Sequence, residues 1–178
     1  CVCKDWFKKP ELAKGNVMVQ KAAKFAEKAH AGMLRKGGNM PYIYHPMEVA
    51  LLVSRMTQDE HVIAAAYLHD VLEDTAVTAE ELAEQFGERV LMLVQAETED
   101  KSLTWKERKG HTIQHLEHAS FEVKLLTLAD KLSNMRCTAR DYLMIGDEIW
   151  ARFNEKRKAS HKWYAKGILD GLTELADY

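Results

Sequence analysis

Apolar residues recur at intervals of three and four along most of the chain, the spacing of one face of an α-helix. The first such stripe consists of Met18, Ala22, Phe25, Ala29 and Met33. It predicts a helix over residues 16–34, and the same pattern predicts further helices over residues 46–56, 59–74, 78–86, 87–98, 104–119, 121–140 and 147–176. No stretch alternates with a period of two over a convincing length, so the pattern predicts an all-α domain of about eight helices.

Residues that start and stop helices lie at these boundaries. Residues 35–42 contain two glycines and a proline and are predicted to be a loop. Pro46 suits the first position of the next helix, where a backbone N–H is not needed. Thr78 with Glu81 forms a capping-box pattern. Further boundary residues are the N-cap candidates Asn16, Asp59 and Thr104 and the helix-ending Gly87 and Gly146.

Length and composition favour one ordered domain over residues 1–178, with residues 1–15 as a peripheral N-terminal segment. The chain has 178 residues, of which 47% are hydrophobic and 29% charged, and it contains no linker or repeat. Lys plus Arg number 25 against 27 Asp plus Glu, so there is no basic field for a nucleic-acid backbone. The longest apolar run, Val62–Leu68, is far shorter than a membrane span. We therefore expect neither nucleic-acid nor membrane partners.

The cysteines indicate the compartment. Three cysteines, Cys1, Cys3 and Cys137, form no zinc-ribbon spacing and cannot all pair, which fits a reducing compartment. The start of the chain lacks a signal-peptide pattern. We expect a cytoplasmic protein, and the sequence leaves monomer and homodimer open.

The predicted helix 59–74 places charged residues on its apolar stripe. His69, Asp70, Glu73 and Asp74 continue the three-and-four spacing of an alanine-rich face. Three carboxylates on neighbouring turns repel one another, and a cation would neutralise them. The alternative is a solvent-exposed acidic helix end.

The predicted helix 121–140 shows the same break, because Asp130 and Asn134 share the stripe of an otherwise apolar element. An inward carboxylate needs a partner, which is either an ion pair with Lys131 or Arg136, or a shared metal. His45 follows the 35–42 loop and can face the bundle centre. Together, His45, His69, Asp70 and Asp130 make a nitrogen and oxygen donor set that suits Mn²⁺, Fe²⁺ or Zn²⁺.

A rival metal site would use His111, His115 and His118, which follow helical spacing. No carboxylate set accompanies them, and a solvated face is the better interpretation. His30 and His61 are expected to be ordinary surface or boundary histidines.

Four motifs resemble a known family. They are RKG at 35–37, PYIYHP at 41–46, HDVLED at 69–74 and LADKLSNMR at 128–136. In this order and spacing they resemble the hydrolase domain of the RelA/SpoT alarmone enzymes, and most of all its stand-alone form, the small alarmone hydrolases that include the metazoan SpoT-like ones. The resemblance spans roughly residues 17–175. It departs from the bifunctional enzymes at Cys137, where they often have a threonine, and in a 35–45 loop that is one residue longer.

The resemblance implies an HD-superfamily helical bundle with one Mn²⁺ and removal of the 3′-pyrophosphate from guanosine penta- or tetraphosphate. The metal ligands it implies are His45, His69, Asp70 and Asp130. Glu73 and Asp74 would orient and activate the attacking water, and the nucleotide-facing residues would be Arg35, Lys36 and Asn134. Charge adds further candidates for binding this anionic small molecule, and the full cationic set is Arg35, Lys36, Lys101, Lys131 and Arg136.

Two other functions remain open at this point. An HD-type phosphohydrolase could act on an adenosine analogue of the alarmone or on the 2′-phosphate of NADPH. A catalytically silent nucleotide-binding module is the third possibility. The intact Glu73–Asp74 pair argues against silence, since a pure binder has no need of extra carboxylates beside a phosphate.

Overall fold

The computed structural model describes residues 16–176, and its helices confirm the predicted all-α bundle. Within that range there is no strand, only one isolated bridge between Leu34 and Pro41. The α-helices are α1 (Val17–Ala29), α2 (Tyr44–Met56), α3 (Glu60–Leu68), α4 (Val71–Asp74), α5 (Ala79–Phe86), α6 (Glu88–Glu97), α7 (Trp105–His118), α8 (Phe121–Ile145) and α9 (Lys158–Gly171). Two 3₁₀-helices span Gly146–Arg152 and Thr173–Leu175. The segment 1–15, expected to be peripheral, and its two cysteines lie outside the described residues.

The centre of the bundle is α3, which contacts α1, α2, α6 and α8. Every residue from Val62 to Leu68 is buried, and Ala64, Ala65 and Ala66 have no exposed surface. Such small side chains allow the neighbouring helices to approach closely, and the helix is apolar all round because it has no solvent face. None of the helices in residues 16–176 is both long and apolar enough to cross a membrane.

A second, smaller core lies where α7, α8 and α9 pack together. Its buried members are Leu116, Leu125, Ile168, Leu172 and Leu175. Burying one such leucine contributes about 1.5–3 kcal/mol. The two cores together hold α8 on both of its faces, which fixes the position of Asp130 on that helix.

The predicted N-caps are confirmed. The side chain of Asn16 accepts a hydrogen bond from Val19 N, Asp59 accepts one from His61 N, and Thr78 accepts one from Glu81 N. Thr104 and Glu107 form a complete capping box at the start of α7. Each cap satisfies a backbone N–H that has no partner inside the helix.

Several predicted boundaries are wrong. The helix expected over 59–74 is two helices, because His69 and Asp70 form a turn between α3 and α4, with Asp70 at φ −98° and ψ −3°. The first helix ends at Ala29 rather than residue 34. The helix expected over 147–176 is instead a 3₁₀-helix, an irregular stretch and α9. Pro46 occupies the third position of α2, where its missing N–H is equally harmless.

Candidate active site

Four side chains from three parts of the fold converge beside the core. His45 is at the second position of α2, His69 and Asp70 form the turn after α3, and Asp130 is on α8. The Nε2 atoms of the two histidines lie 3.3 Å apart. His69 Nε2 is 3.0 Å from Asp70 Oδ2, and His45 Nε2 is 3.0 Å from Asp130 Oδ1. We call these four residues the His–Asp cluster.

The outer ring nitrogens set the orientation of both imidazoles. His69 Nδ1 lies 2.9 Å from the carbonyl oxygen of Ala66, which can only accept, so Nδ1 carries the proton. His45 Nδ1 lies 2.9 Å from Ser133 Oγ, and that hydroxyl donates its own proton to Glu48 Oε2 at 2.8 Å. Nδ1 of His45 is therefore a donor as well. When both rings are neutral, the lone pair of each Nε2 therefore points into the cluster.

Electrostatics in the His–Asp cluster favour a positive charge at its centre. Burial lowers the pKa of His45, with partial compensation from Asp130. Burial acts on His69 in the same direction, but Asp70 and Asp130 outweigh it and hold its pKa well above the ordinary value. Burial would raise the pKa of Asp130, yet Lys131 and His45 hold it well below its usual range. The carboxylates are thus ionised around a point where a cation is stabilised.

A divalent transition metal fits this donor set. The donor atoms of His45, His69 and Asp70 all lie within 4.8 Å of one another, and Asp130 Oδ1 lies 3.0 and 3.7 Å from the two inner nitrogens. Two imidazole lone pairs 3.3 Å apart repel unless a proton or a cation lies between them. Mixed nitrogen and oxygen ligands suit Mn²⁺, Fe²⁺ and Zn²⁺.

Glu73 and Asp74, one turn beyond His69 and Asp70, form an acidic pair held by one lysine. Lys101 Nζ donates to Asp74 Oδ1 and to the carbonyl oxygen of Glu73, both at 2.7 Å. Glu73 Oε2 also accepts from the backbone N–H of Glu99 at 3.3 Å. Burial, reinforced by the charge of Glu99, raises the pKa of Glu73. A carboxylate with a raised pKa is a better proton acceptor.

Of the cations expected to face the nucleotide, Arg35 is connected to the His–Asp cluster. Its Nη2 donates to Asn134 Oδ1 at 3.0 Å, and Asn134 Nδ2 donates to Asp130 Oδ1 at 2.6 Å. Lys36 is exposed on the same loop, and Arg136 lies 3.5 Å from Glu48 Oε1.

Lys131, a candidate for substrate binding, was also one of two candidate ion-pair partners of Asp130. Its ammonium group donates to Asp130 Oδ2 and lies 3.8 Å from Glu97 Oε2, so the ion pair considered for Asp130 is present. The same aspartate contributes its other oxygen to the His–Asp cluster. The ion pair and the shared cation site are therefore compatible, and Lys131 faces carboxylates in this structure.

Sequence analysis missed two residues beside the cluster. Tyr42 donates its hydroxyl proton to Asp70 Oδ2 at 2.6 Å. The ring of Tyr42 packs against His30 at a centroid distance of 5.0 Å. His30, expected at the surface or boundary, is buried with 2% exposure, and its Nε2 makes no hydrogen bond. The sequence signals were the PYIYHP motif for Tyr42 and the position of His30 directly after α1, but neither signal identifies the residue that is contacted.

The rival histidines are not brought together into a site. His111, His115 and His118 are exposed on α7, as a solvated face predicts. His61, expected at a boundary, is half-buried and lies 3.3 Å from Asp59.

Comparison with known proteins agrees with this geometry. The family model of the HD domain matches residues 22–158. The human guanosine-3′,5′-bis(diphosphate) 3′-pyrophosphohydrolase MESH1 is 41% identical over 154 residues, which are 85% of this chain and 82% of that protein. The protein of the same name from Xenopus tropicalis is 37% identical over 87% of this chain and 84% of its own length.

Longer relatives and solved structures also match. A guanosine-3′,5′-bis(diphosphate) 3′-pyrophosphohydrolase from Aquifex aeolicus is 38% identical over 79% of this chain, which spans only 19% of that protein. A solved structure described as a metazoan ortholog of SpoT that hydrolyses ppGpp has a TM-score of 0.74 and 32% identity, covering 88% of this chain and 86% of its own. The resemblance predicted from the four motifs is confirmed, and the chain belongs to the HD-domain family.

Proposed function

We propose that this protein is a metal-dependent phosphohydrolase that removes the 3′-pyrophosphate from guanosine tetra- and pentaphosphate, leaving GDP or GTP. The observation that carries the proposal is the His–Asp cluster with Glu73, Asp74 and Lys101 beside it. The names of relatives that match over most of both chains support the same substrate class. Mn²⁺ is the proposed ion, the substrate is a small nucleotide, and the cytoplasm is the proposed location.

In this proposal His45, His69, Asp70 and Asp130 hold the ion. A divalent cation supplies water with a lowered pKa and neutralises charge on a phosphoryl oxygen. Glu73 accepts the proton of the attacking water, because its raised pKa and its distance of one helical turn from the ligands suit that task. The water oxygen bonds to phosphorus, the bond from phosphorus to the ribose 3′-oxygen breaks, and that oxygen takes up a proton.

Neighbouring side chains position the substrate. Lys101 is 52% exposed at its side chain, so its ammonium group can turn from Asp74 to a pyrophosphate oxygen without a large desolvation cost. Asn134 contacts both Asp130 and Arg35, and in this proposal its amide hydrogen-bonds a ribose hydroxyl of the substrate. Asp74 holds Lys101 through the 2.7 Å contact before substrate binds, and in this proposal it then orients water beside Glu73.

The test is a substrate panel with the purified protein and added Mn²⁺. The panel contains guanosine tetraphosphate, its adenosine analogue and NADPH, and released pyrophosphate is measured separately from orthophosphate. We expect pyrophosphate from the guanosine substrate and loss of turnover after chelation. Release of orthophosphate alone, or a preference for NADPH, would show that the substrate is a different phosphate ester.

Ligand variants complete the test. His45→Ala, His69→Ala, Asp70→Ala and Asp130→Ala should each lower bound Mn²⁺, measured by metal analysis after desalting. His111→Ala is the matched control, since His111 is exposed on α7. If bound metal is unchanged in all four variants, the ligand assignment is wrong.

A further inference from the structure

Both ring nitrogens of His45 are contacted by side chains of one helix, α8. His45 Nε2 lies 3.0 Å from Asp130 Oδ1, and His45 Nδ1 lies 2.9 Å from Ser133 Oγ. Asp130 and Ser133 are three residues apart and therefore lie on the same face of α8. The imidazole of His45 is thus held between two side chains of α8, one on the metal-binding side of the ring and one on the opposite side.

The contact on the opposite side continues to a carboxylate. Ser133 Oγ donates its proton to Glu48 Oε2 at 2.8 Å, and since a hydroxyl has only one proton, the same oxygen accepts the proton of His45 Nδ1. His45 and Glu48 are three residues apart on α2, so the Ser133 hydroxyl bridges two residues on one face of that helix. We call these three residues the His–Ser–Glu chain.

The His–Ser–Glu chain runs from the interior of the bundle toward its surface. His45 is 4% exposed and Ser133 is 1% exposed, whereas the side chain of Glu48 is 28% exposed. Glu48 Oε1 lies 3.5 Å from Arg136 Nη1, so both carboxylate oxygens have a partner. Hydrogen bonds to a carboxylate are stronger than those to a neutral group, and hydrogen bonds in series polarise one another. The negative charge of Glu48 therefore acts on the His45 ring through Ser133.

The other histidine of the His–Asp cluster has a different outer partner. His69 Nδ1 lies 2.9 Å from the carbonyl oxygen of Ala66, in the last turn of α3. That partner is neutral and belongs to the backbone, so it does not depend on which side chain follows it. Of the two imidazoles, His45 is thus the one whose outer hydrogen bond is set by side chains and ends at a charge.

We propose that Ser133 and Glu48 are positioning residues of the metal site, which fix the ring of His45 and strengthen the binding of the ion by its Nε2. The proposal rests on the metal ligands of the proposed function, but not on the identity of the nucleotide. An ion at Nε2 draws electron density from the ring and makes the N–H at Nδ1 a stronger donor. Ser133, with Glu48 beyond it, stabilises that N–H, so the two interactions of the ring reinforce each other.

The experiment measures the affinity for Mn²⁺ of two variants by competition with a chelating dye. Ser133→Ala interrupts the His–Ser–Glu chain and should weaken Mn²⁺ binding by about 10- to 100-fold. Glu48→Gln keeps an oxygen that can accept from Ser133 but removes the charge, so it should weaken Mn²⁺ binding by less than Ser133→Ala does. Its metal-free melting temperature should stay close to that of the unaltered protein, because the ion pair lost with Arg136 is partly exposed. A purely structural role for Glu48 predicts unchanged Mn²⁺ affinity.

Two further measurements test whether the residues act in series on the metal ligand. If Glu48 acts through Ser133, the double variant Ser133→Ala/Glu48→Gln should bind Mn²⁺ as weakly as Ser133→Ala alone. The visible absorption spectrum of the protein loaded with Co²⁺ reports the arrangement of the ligands around the ion, and it should change in Ser133→Ala. Ser133→Thr keeps the hydroxyl and should retain most of the Mn²⁺ affinity.

The matched controls change similar residues that do not contact His45. Ser54→Ala removes another buried serine, whose hydroxyl donates to the carbonyl oxygen of Leu51 at 2.8 Å. Glu122→Gln removes another carboxylate that is paired with an arginine, at 3.1 Å from Arg89. Both controls should bind Mn²⁺ like the unaltered protein. Circular dichroism checks that every variant is folded.

Three outcomes would overturn the proposal. They are unchanged Mn²⁺ affinity in Glu48→Gln, equal losses of affinity in Ser133→Ala and Ser54→Ala, and losses that add in the double variant. A protein that binds no Mn²⁺ at all would overturn both this proposal and the ligand assignment. Failure of the proposed substrate looks different, because Mn²⁺ binding would still depend on Ser133 and Glu48 while guanosine tetraphosphate is not hydrolysed.

Discussion

The hydroxyl of Tyr42 donates to Asp70 Oδ2 over 2.6 Å, and that same oxygen lies 3.0 Å from His69 Nε2. Burial, followed by the charge of Asp70, raises the pKa of Tyr42 above its ordinary value, so the hydroxyl keeps its proton and remains a donor. Tyr42 thus fixes the orientation of the Asp70 carboxylate relative to the two histidines of the cluster. Outer hydrogen bonds of this kind orient metal ligands and tune their affinity.

Tyr42→Phe should therefore weaken metal binding by about 10- to 100-fold while the protein stays folded. The affinity is measured by competition with a chelating dye, and the fold by circular dichroism. Tyr142→Phe is the control, because Tyr142 is 36% exposed and its hydroxyl contacts Lys158. Unchanged affinity in the Tyr42 variant would mean that Asp70 is oriented by its other neighbours.

Glu73→Gln should lower kcat by about 100-fold or more with metal still bound, since the amide cannot accept a proton. Glu73 accepts a proton only when ionised, and burial raises its pKa above the usual 4.5. The rate should therefore fall as the pH drops toward this raised pKa, and should start to fall at a higher pH than for an ordinary glutamate. Rates are measured across pH with metal content checked at each point. If the fall in rate at low pH persists unchanged in Glu73→Gln, that fall reports the protonation of another group.

Lys101→Ala should raise KM by roughly tenfold, because an ammonium group that reaches a pyrophosphate adds a charge-assisted hydrogen bond. Thermal stability should change little, since ion pairs of a half-exposed lysine contribute at most about 1 kcal/mol. Initial rates and a melting curve measure both effects. Lys106→Ala, an exposed lysine on α7, should leave KM unaltered. Equal KM values in the two variants would separate Lys101 from the substrate.

Leu126→Ala should lower the free energy of unfolding by about 2–5 kcal/mol, because Leu126 has no exposed surface and its removal leaves a cavity beside α3. Leu143→Ala on the same helix is the matched control, with 88% exposure and an expected change within about 0.5 kcal/mol. Urea denaturation distinguishes them. Similar losses in both variants would contradict the central position of Leu126.

Features set by neighbours in sequence were predictable. Helix-forming stripes such as Met18 to Ala29 and caps such as Asn16 and Thr104 depend on residues within one or two turns, and the structure has them in place. The carboxylate on an otherwise apolar helix, Asp130, also pointed to the site, because an inward charge on such a face demands a partner.

Contacts between distant residues were not predictable from one sequence. Tyr42 and Asp70 are 28 residues apart, and His45 and Ser133 are 88 apart. Periodicity does not predict such pairings, so the contact of Tyr42 was missed, and His30 was expected at the surface or boundary although it is buried. The turn at His69 was missed for a related reason, since a single interruption leaves the three-and-four spacing on either side intact.

The His–Asp cluster draws its side chains from chain positions 45, 69, 70 and 130. An ion held by all of them would close chain loops of 24 and 60 residues, counted from His45 to His69 and from Asp70 to Asp130. It would act as a reversible cross-link whose benefit grows with the loop it closes. At 100 times its dissociation constant, such an ion adds about 2.7 kcal/mol to the free energy of unfolding. The metal would thereby join α2, α3 and α8 into one cooperative unit, and the second core would couple α9 to that unit through Leu125 of α8.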